Sequence, residues 1–172
     1  MKTITRSNLY VPITAMILTG LGVPAIAQQQ VPFTGTFQGT DTVADPMLTQ
    51  SIAGTGSHVG QFSAIAVLTT TASGGTGSAH WVAANGDSID TTVVGSPEHV
   101  PMAPCQVVGA QPEDSYAKVT EIHRIIGGTG RFEGARRSFV VTLYHDVALR
   151  TDGTHGTCGS FVGTITPMGA AH

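Results

Sequence analysis

Four glycines fall within residues 127–135, which read Gly-Gly-Thr-Gly-Arg-Phe-Glu-Gly-Ala and lie between two apolar, β-rich segments. Glycine reaches positive φ without a Cβ clash, so such a run can reverse the chain tightly. Phe132 is the one aromatic residue in the run and can pack back on the flanking strands. The pattern predicts a strand, a tight corner with one short turn of helix, and a returning strand.

The same glycines do not have the spacing of a nucleotide-binding loop. A dinucleotide fingerprint needs G-x-G-x-x-G before a helix. Counted from Gly128 the third glycine position holds Glu133, and counted from Gly75 it holds His80. Neither cluster is followed by the G-K-[ST] of a phosphate loop, and no G-x-S-x-G serine elbow occurs. Residues 127–135 are therefore interpreted as a structural corner.

Residues 1–27 have the pattern of a secretory signal peptide. Lys2 and Arg6 precede an interrupted apolar stretch, and Ala25-Ile26-Ala27 forms an A-x-A cleavage site. The apolar run is too short for a stable membrane anchor. The pattern is bacterial in style, so we expect a secreted or periplasmic protein whose mature chain begins at Gln28.

The mature chain, residues 28–172, is of a size that fits a single domain. Because the signal segment contains two of the eight basic residues and none of the eleven acidic ones, six basic and eleven acidic residues remain, a formal charge of −5. A net charge of that sign argues against nucleic acid or an anionic membrane as a partner.

Two cysteines, Cys105 and Cys158, remain in a chain that is expected to be exported. An even count in an oxidising compartment favours a disulfide, with two buried thiols as the alternative. The bridge would join a proline-rich segment to the last strand.

Short β-branched and aromatic runs with glycine turns, and no long helical period, predict an all-β domain. The predicted strands are residues 33–40, 59–71, 78–84, 87–95, 116–126, 137–149 and 159–166. Asn85-Gly86 is a hairpin signal. Prolines 97, 101, 104 and 112 predict a loop over residues 96–114 that lies across one end of the domain. Seven or eight antiparallel strands favour a single closed barrel of about eight strands, because closure removes the sheet edges.

Three stretches in this order resemble the allene oxide cyclase barrel-like family: residues 56–60 (Gly-Ser-His-Val-Gly), residues 84–87 (Ala-Asn-Gly-Asp) and residues 127–135. The resemblance covers about residues 33–166. The sequence departs from the family at Arg136 and Arg137, which replace small residues. It implies a calycin-type eight-stranded antiparallel barrel related in shape to dirigent proteins. An isomerase or cyclase activity is what the family would imply.

Glu121 and His123 are the candidate catalytic residues. Alternation along a strand places them on one face with Val119 and Ile125. If that face points into the lumen, a carboxyl and an imidazole group suited to proton transfer lie among apolar side chains. If it points outward, both are solvated, which is the usual state of Glu.

Four further residues are candidates for ligand binding. His145 shares a face with Phe139, Val141 and Leu143, opposite Tyr144. Trp81 alternates with His80. Trp81 and His145 either line a pocket or belong to the core. No metal-binding spacing occurs among the histidines and cysteines, so neither a metal nor a cofactor is predicted.

Three functions stay open on the sequence alone. The first is a barrel that binds a small apolar molecule in its lumen. The second is an isomerase or cyclase in which Glu121 or His123 moves a proton. The third is an envelope or interaction protein with a filled lumen. Strands that are apolar on both faces also predict a covered outer face, by a homo-oligomer or by the termini.

Overall fold

The described residues of this computed structural model, 29–107, 109–111, 115–148, 150 and 152–166, form an eight-stranded barrel. The strands are β1 (Val31–Ala44), β2 (Met47–Gly56), β3 (Gly60–Thr71), β4 (Gly74–Ala83), β5 (Ser88–Val100), β6 (Tyr116–Gly128), β7 (Ser138–Asp146) and β8 (Thr154–Ile165). The predicted signal peptide, with its cleavage site, lies outside these residues. No helix in the described part of the chain is long and apolar enough to cross a membrane.

Every strand pairs antiparallel with the next along the chain, and β8 pairs with β1 to close the barrel. The closing register runs from Val31 opposite Ile165 to Thr42 opposite Thr154. Closure pairs both edges of the sheet, which would otherwise present unpaired backbone groups. The predicted all-β, closed antiparallel barrel of about eight strands is confirmed.

Strand β2 was missing from the strands predicted from the sequence. Its lumen-side positions include Leu48, Gln50 and Ile52, so a polar residue interrupts the apolar alternation. Gly54 and Gly56 weaken the strand signal further, since glycine is depleted in strands. Pairing with β1 on one side and β3 on the other stabilises β2, although its local sequence is a weak strand signal.

The prediction that the loop begins at residue 96 is wrong, because β5 continues to Val100. Beyond Gly95, β5 pairs only with β6, and Pro97 lies opposite Val119. One side of the strand is therefore free of ladder bonds, which is where a strand tolerates a residue without an N–H group.

The glycine-rich corner has the predicted form. Strand β6 ends at Gly128, a 3₁₀ turn spans Gly130–Phe132, and β7 follows. Gly130 has φ +57°, and Phe132 is buried in the core. A Cβ on Gly128 would lie 2.6 Å from the carbonyl oxygen of Ser88, so this position also allows close approach of β5.

The Cys105–Cys158 disulfide is present. Cys158 alternates with the lumen-facing Thr157 and Gly159, so the bridge attaches the loop to the outer wall of β8. The Gln38 side-chain amide donates to the carbonyl oxygen of Gln106, which fixes the loop to β1 as well. Residues 105 and 106 are thus held against the outer wall of the barrel, and the prediction that the loop crosses one end of the domain stays a prediction.

The outer face carries a row of apolar residues across four strands. Val94, Ile122, Val140 and Val162 lie opposite one another in register. Three of them are more than half exposed. The sequence predicted apolar residues on both faces, and the homo-oligomer that would cover this row stays a prediction.

Candidate functional site

One half of the lumen is filled by aromatic rings. Its members approach with ring centroids 4.8–5.8 Å apart and are Phe33, Phe62, Trp81, Phe139 and Phe161. Glycines on the lumen face make room for large rings: a Cβ on Gly159 would lie 2.6 Å from the tip of Phe37. The described side chains of this half pack against one another as a core.

The other half of the lumen is an open pocket of about 240 Å³. Its apolar walls include Val43, Leu48, Leu68 and Val119. Its polar lining residues are Gln50, Thr70, Thr71, Glu121 and His145. The pocket therefore has apolar walls with few polar groups, which is the usual composition of a small-molecule site.

Strand β6 places Glu121 and His123 in the lumen. Burial alternates along this strand, with Ile122 and Arg124 outside and Glu121, His123 and Ile125 inside. The side chains of Glu121 and His123 are each 2% exposed. Of the two orientations that the sequence allowed, the structure has the inward one.

A hydrogen-bonded chain links four side chains from three strands. The Nε2 atom of His123 lies 3.0 Å from Oε2 of Glu121, and Nδ1 lies 3.0 Å from Oγ1 of Thr91. The Gln50 side-chain amide donates to Oε1 of Glu121 over 3.1 Å. The His123 ring stacks on Phe139 at 5.0 Å, so ring packing and hydrogen bonds together fix its orientation.

These contacts allow two tautomers of His123. The Thr91 hydroxyl lies 3.0 Å from Nδ1 of His123 and 3.4 Å from the carbonyl oxygen of Ala79, and it can donate to either atom. In both arrangements one proton is shared between His123 Nε2 and Glu121 Oε2. The pair can therefore exchange a proton with a group beside Glu121.

A second buried acid lies near this chain. Asp41 on β1 is fully buried, and its Oδ2 atom lies 3.1 Å from Nδ1 of His145. Burial raises the pKa of the Asp41 carboxyl, while the hydrogen bond from His145 and its charge oppose the rise. The negative charge of Glu121 adds to the increase.

The four candidate ligand-binding residues lie in different places. His145 lines the open pocket. Trp81 belongs to the aromatic core and borders a void of about 10 Å³ that Glu121 also lines. His80 is on the outer face, where its Nδ1 atom lies 2.7 Å from Asp90. Tyr144 alternates with the lumen-facing Leu143 and His145, so it too is outside the pocket.

Sequence reasoning missed Gln50, Thr91 and Asp41 as parts of the site. Gln50 and Asp41 are polar residues at lumen positions of strands that otherwise alternate apolar side chains, and this was the available signal. Within the described residues, no group of three or more histidine, cysteine, aspartate or glutamate side chains is placed to hold a metal ion.

Comparison with known proteins gives structural neighbours alone. No family model matches the chain, and no curated protein matches its sequence. The pterocarpan synthase dirigent protein GePTS1 is 13% identical over 90% of this chain and 97% of its own, with a TM-score of 0.47. The pterocarpan synthase dirigent protein PsPTS1 is 10% identical over 81% of this chain and 96% of its own, with a TM-score of 0.43. The narrower resemblance to allene oxide cyclases stays a prediction.

Proposed function

We propose that this protein is an exported barrel that binds a small apolar molecule in the open half of its lumen. The pocket of about 240 Å³ that ends on Glu121 and Gln50 carries the proposal. A barrel that served only as a scaffold would gain stability by filling this half as it fills the other, because empty apolar space forfeits packing.

The ligand enters with its apolar body between Leu48, Leu68 and Val119 and directs one polar group towards Glu121. A buried carboxyl group with one hydrogen bond to each oxygen still has lone pairs for a further donor. Glu121 therefore gives the pocket orientation, and the apolar walls give it most of its affinity.

Titration with octan-1-ol, followed by amide chemical shifts, tests the binding. We expect shifts at residues that line the pocket, and we expect Leu48→Phe to abolish them by filling it. Ile65→Phe on the outer face of β3 is the matched control, since Ile65 is 56% exposed. Shifts that survive Leu48→Phe, or none in the parent protein, would refute lumen binding.

The Glu121–His123 pair favours a second candidate, an isomerase or cyclase that moves a proton within a confined apolar substrate. Glu121 would take a proton from carbon and return it at another position, with His123 stabilising the alternate protonation state. Neither step needs a group from outside the lumen.

Conversion of cyclohex-3-enone to cyclohex-2-enone tests this chemistry, because the product differs only in the position of one proton and one double bond. We expect the parent protein to accelerate it and Glu121→Gln to lose about 10²–10⁴-fold of that rate. Glu98→Gln, an outer carboxylate that pairs with Lys118, is the control. An equal rate in parent and Glu121→Gln would exclude the role of Glu121.

Export rests on residues 1–27, and the Cys105–Cys158 bridge is compatible with an oxidising compartment. N-terminal sequencing of the exported protein should begin at Gln28. Exported material that still contains residues 9–23 would contradict the cleavage site.

A further inference from the structure

We propose that the pocket selects ligands that join an apolar body to a basic nitrogen and rejects those that carry a carboxylate. This inference rests on the proposed lumen binding and adds the chemical class of the ligand to it. It depends on which polar atoms reach the pocket and on the charges around them.

The hydroxyl groups of Thr70 and Thr71, which line the pocket, already donate their protons to backbone carbonyl oxygens. The Thr70 hydroxyl donates to the carbonyl oxygen of Pro46 over 2.9 Å, and the Thr71 hydroxyl donates to that of Gly74 over 3.1 Å. The Thr70 hydroxyl therefore offers an entering ligand only oxygen lone pairs, whereas the Thr71 oxygen already accepts from the backbone N–H of Ser73. A ligand that brings its own donors is matched to these positions.

The deeper polar groups present acceptors as well. Gln50 directs one of its two amide N–H groups to Glu121, so the carboxyl oxygens of Glu121 are held at the end of the pocket. In its neutral form, with Nδ1–H donating to Asp41, His145 has a lone pair on Nε2. An ammonium group has three donors and no acceptor, and is the complement of such a site.

The charge of the pocket points the same way. Of the described residues that line it, none is lysine or arginine, whereas Glu121 lines it and Asp41 lies directly behind His145. A carboxylate ligand would bring another negative charge beside these acids, where no lysine or arginine of the lining could pair with it, and an unpaired charge is costly to bury. An ammonium group would pair with a carboxylate that the fold has already buried.

An alkylamine, like the lysine side chain, is an ammonium ion at pH 7 and brings its own proton. The Glu121 carboxylate, which Gln50 and His123 hold in place, can therefore pair with it without a proton transfer inside the pair.

The volume sets the size of the ligand. A cavity of about 150 Å³ takes benzene. A pocket of about 240 Å³ therefore suits a body of roughly nine or ten non-hydrogen atoms. Octylamine, octan-1-ol and octanoate have this size, share one chain and differ in the polar group.

Calorimetric titration of the whole mature protein with these three compounds at pH 7 tests the proposal. We expect octylamine to bind at least tenfold more tightly than octan-1-ol, and octanoate to bind at least tenfold more weakly. If the alcohol binds as well as the amine, or octanoate binds best, this selectivity is overturned while lumen binding stands. If none of the three binds, the proposed function fails with it.

Three variants separate the pocket from the acidic surface. Glu121→Gln should reduce the ratio of amine to alcohol affinity to below threefold, and Glu98→Gln on the outer face should keep the parent ratio. Leu48→Phe should abolish amine binding, whereas amine held by surface carboxylates would persist and overturn the proposal. The comparison of three ligands on the parent protein decides the question even if Glu121→Gln does not fold.

Discussion

The Nδ1 atom of His145 lies 3.1 Å from the Oδ2 atom of Asp41, and this pair joins β7 to β1 inside the barrel across the intervening strand β8. Asp41 is buried, whereas the His145 side chain is 23% exposed to the pocket. The other carboxyl oxygen of Asp41 has no hydrogen-bond partner among the described residues. A carboxyl group in this position is costly to ionise, and the stability of the barrel should report that cost.

Asp41→Asn should make the barrel less dependent on pH. Burial raises the pKa of Asp41 above its ordinary value of 3.8. The folded state therefore binds the proton more tightly than the unfolded state, and the stability that Asp41 contributes is complete below about pH 3.8. It is lost as the pH rises from there through the folded pKa. Urea unfolding of parent and variant from pH 3 to 8 should show the parent losing stability relative to the variant.

Asp152→Asn is the control, because the contribution of Asp152 to stability should change with pH in the opposite direction. Hydrogen bonds from the side chain and backbone of Thr154 lower the pKa of this exposed carboxyl below 3.8. Its contribution is present above that value and is lost as the pH falls through the folded pKa. If the parent instead gained stability relative to the Asp41→Asn variant as the pH rose, Asp41 would not be held in a desolvated state.

The barrel could be predicted because its strongest signals are local. The hairpin at Asn85-Gly86 and the corner at residues 127–135 each depend on a few adjacent residues. Strand β2 depends on distant partners, since Gln50 reaches its hydrogen-bond partner across 71 positions of sequence. Local alternation does not contain that information.

The candidate site could be predicted only in part for the same reason. Alternation places Glu121 and His123 on one face, but the pairing of β6 with β5 and β7 decides which face is the lumen. Asp41 and His145 lie 104 positions apart and meet only after β8 closes against β1. His80 and Tyr144 were candidates by residue type, and the alternation along β4 and β7 places their side chains on the outer face of the barrel.

Gly130→Val should destabilise the barrel by more than the backbone strain at this position alone. Gly130 has φ +57°, where a β-branched residue costs about 1–3 kcal/mol. A Cβ at this position would also overlap the Asp87 carboxylate, which Asn85 and Arg131 hold in place. Displacing that carboxylate should add about 1 kcal/mol. Thermal and urea unfolding measure the total.

Gly86→Val isolates the backbone effect from the overlap. Gly86 has φ +88°, and a Cβ there would meet no atom within 4 Å. We expect it to cost less than Gly130→Val. Equal losses would mean that the contact between Asp87 and the corner does not contribute to stability.

Removal of the disulfide should cost stability without changing the pocket. The bridge closes a loop of 53 residues, which corresponds to about 4 kcal/mol in the chain-entropy model. Cys105→Ser with Cys158→Ser should lower the urea midpoint accordingly. Octan-1-ol binding should remain, because the bridge lies on the outer wall of β8. Loss of binding at full stability would place the loop in the site.

Arg137→Gly should stabilise the barrel. Arg137 is exposed and has φ +104°, a backbone conformation that costs a residue with a Cβ about 1–3 kcal/mol. Glycine relieves that strain and loses about 0.5–1 kcal/mol to its greater freedom in the unfolded chain. The net gain should be about 1 kcal/mol, seen as a higher urea midpoint with an unchanged slope. Arg136→Gly is the matched control: Arg136 is not at positive φ and donates to the carbonyl oxygen of Ala135, so its replacement should destabilise. If both variants lose stability equally, the conformation of Arg137 is not strained in solution.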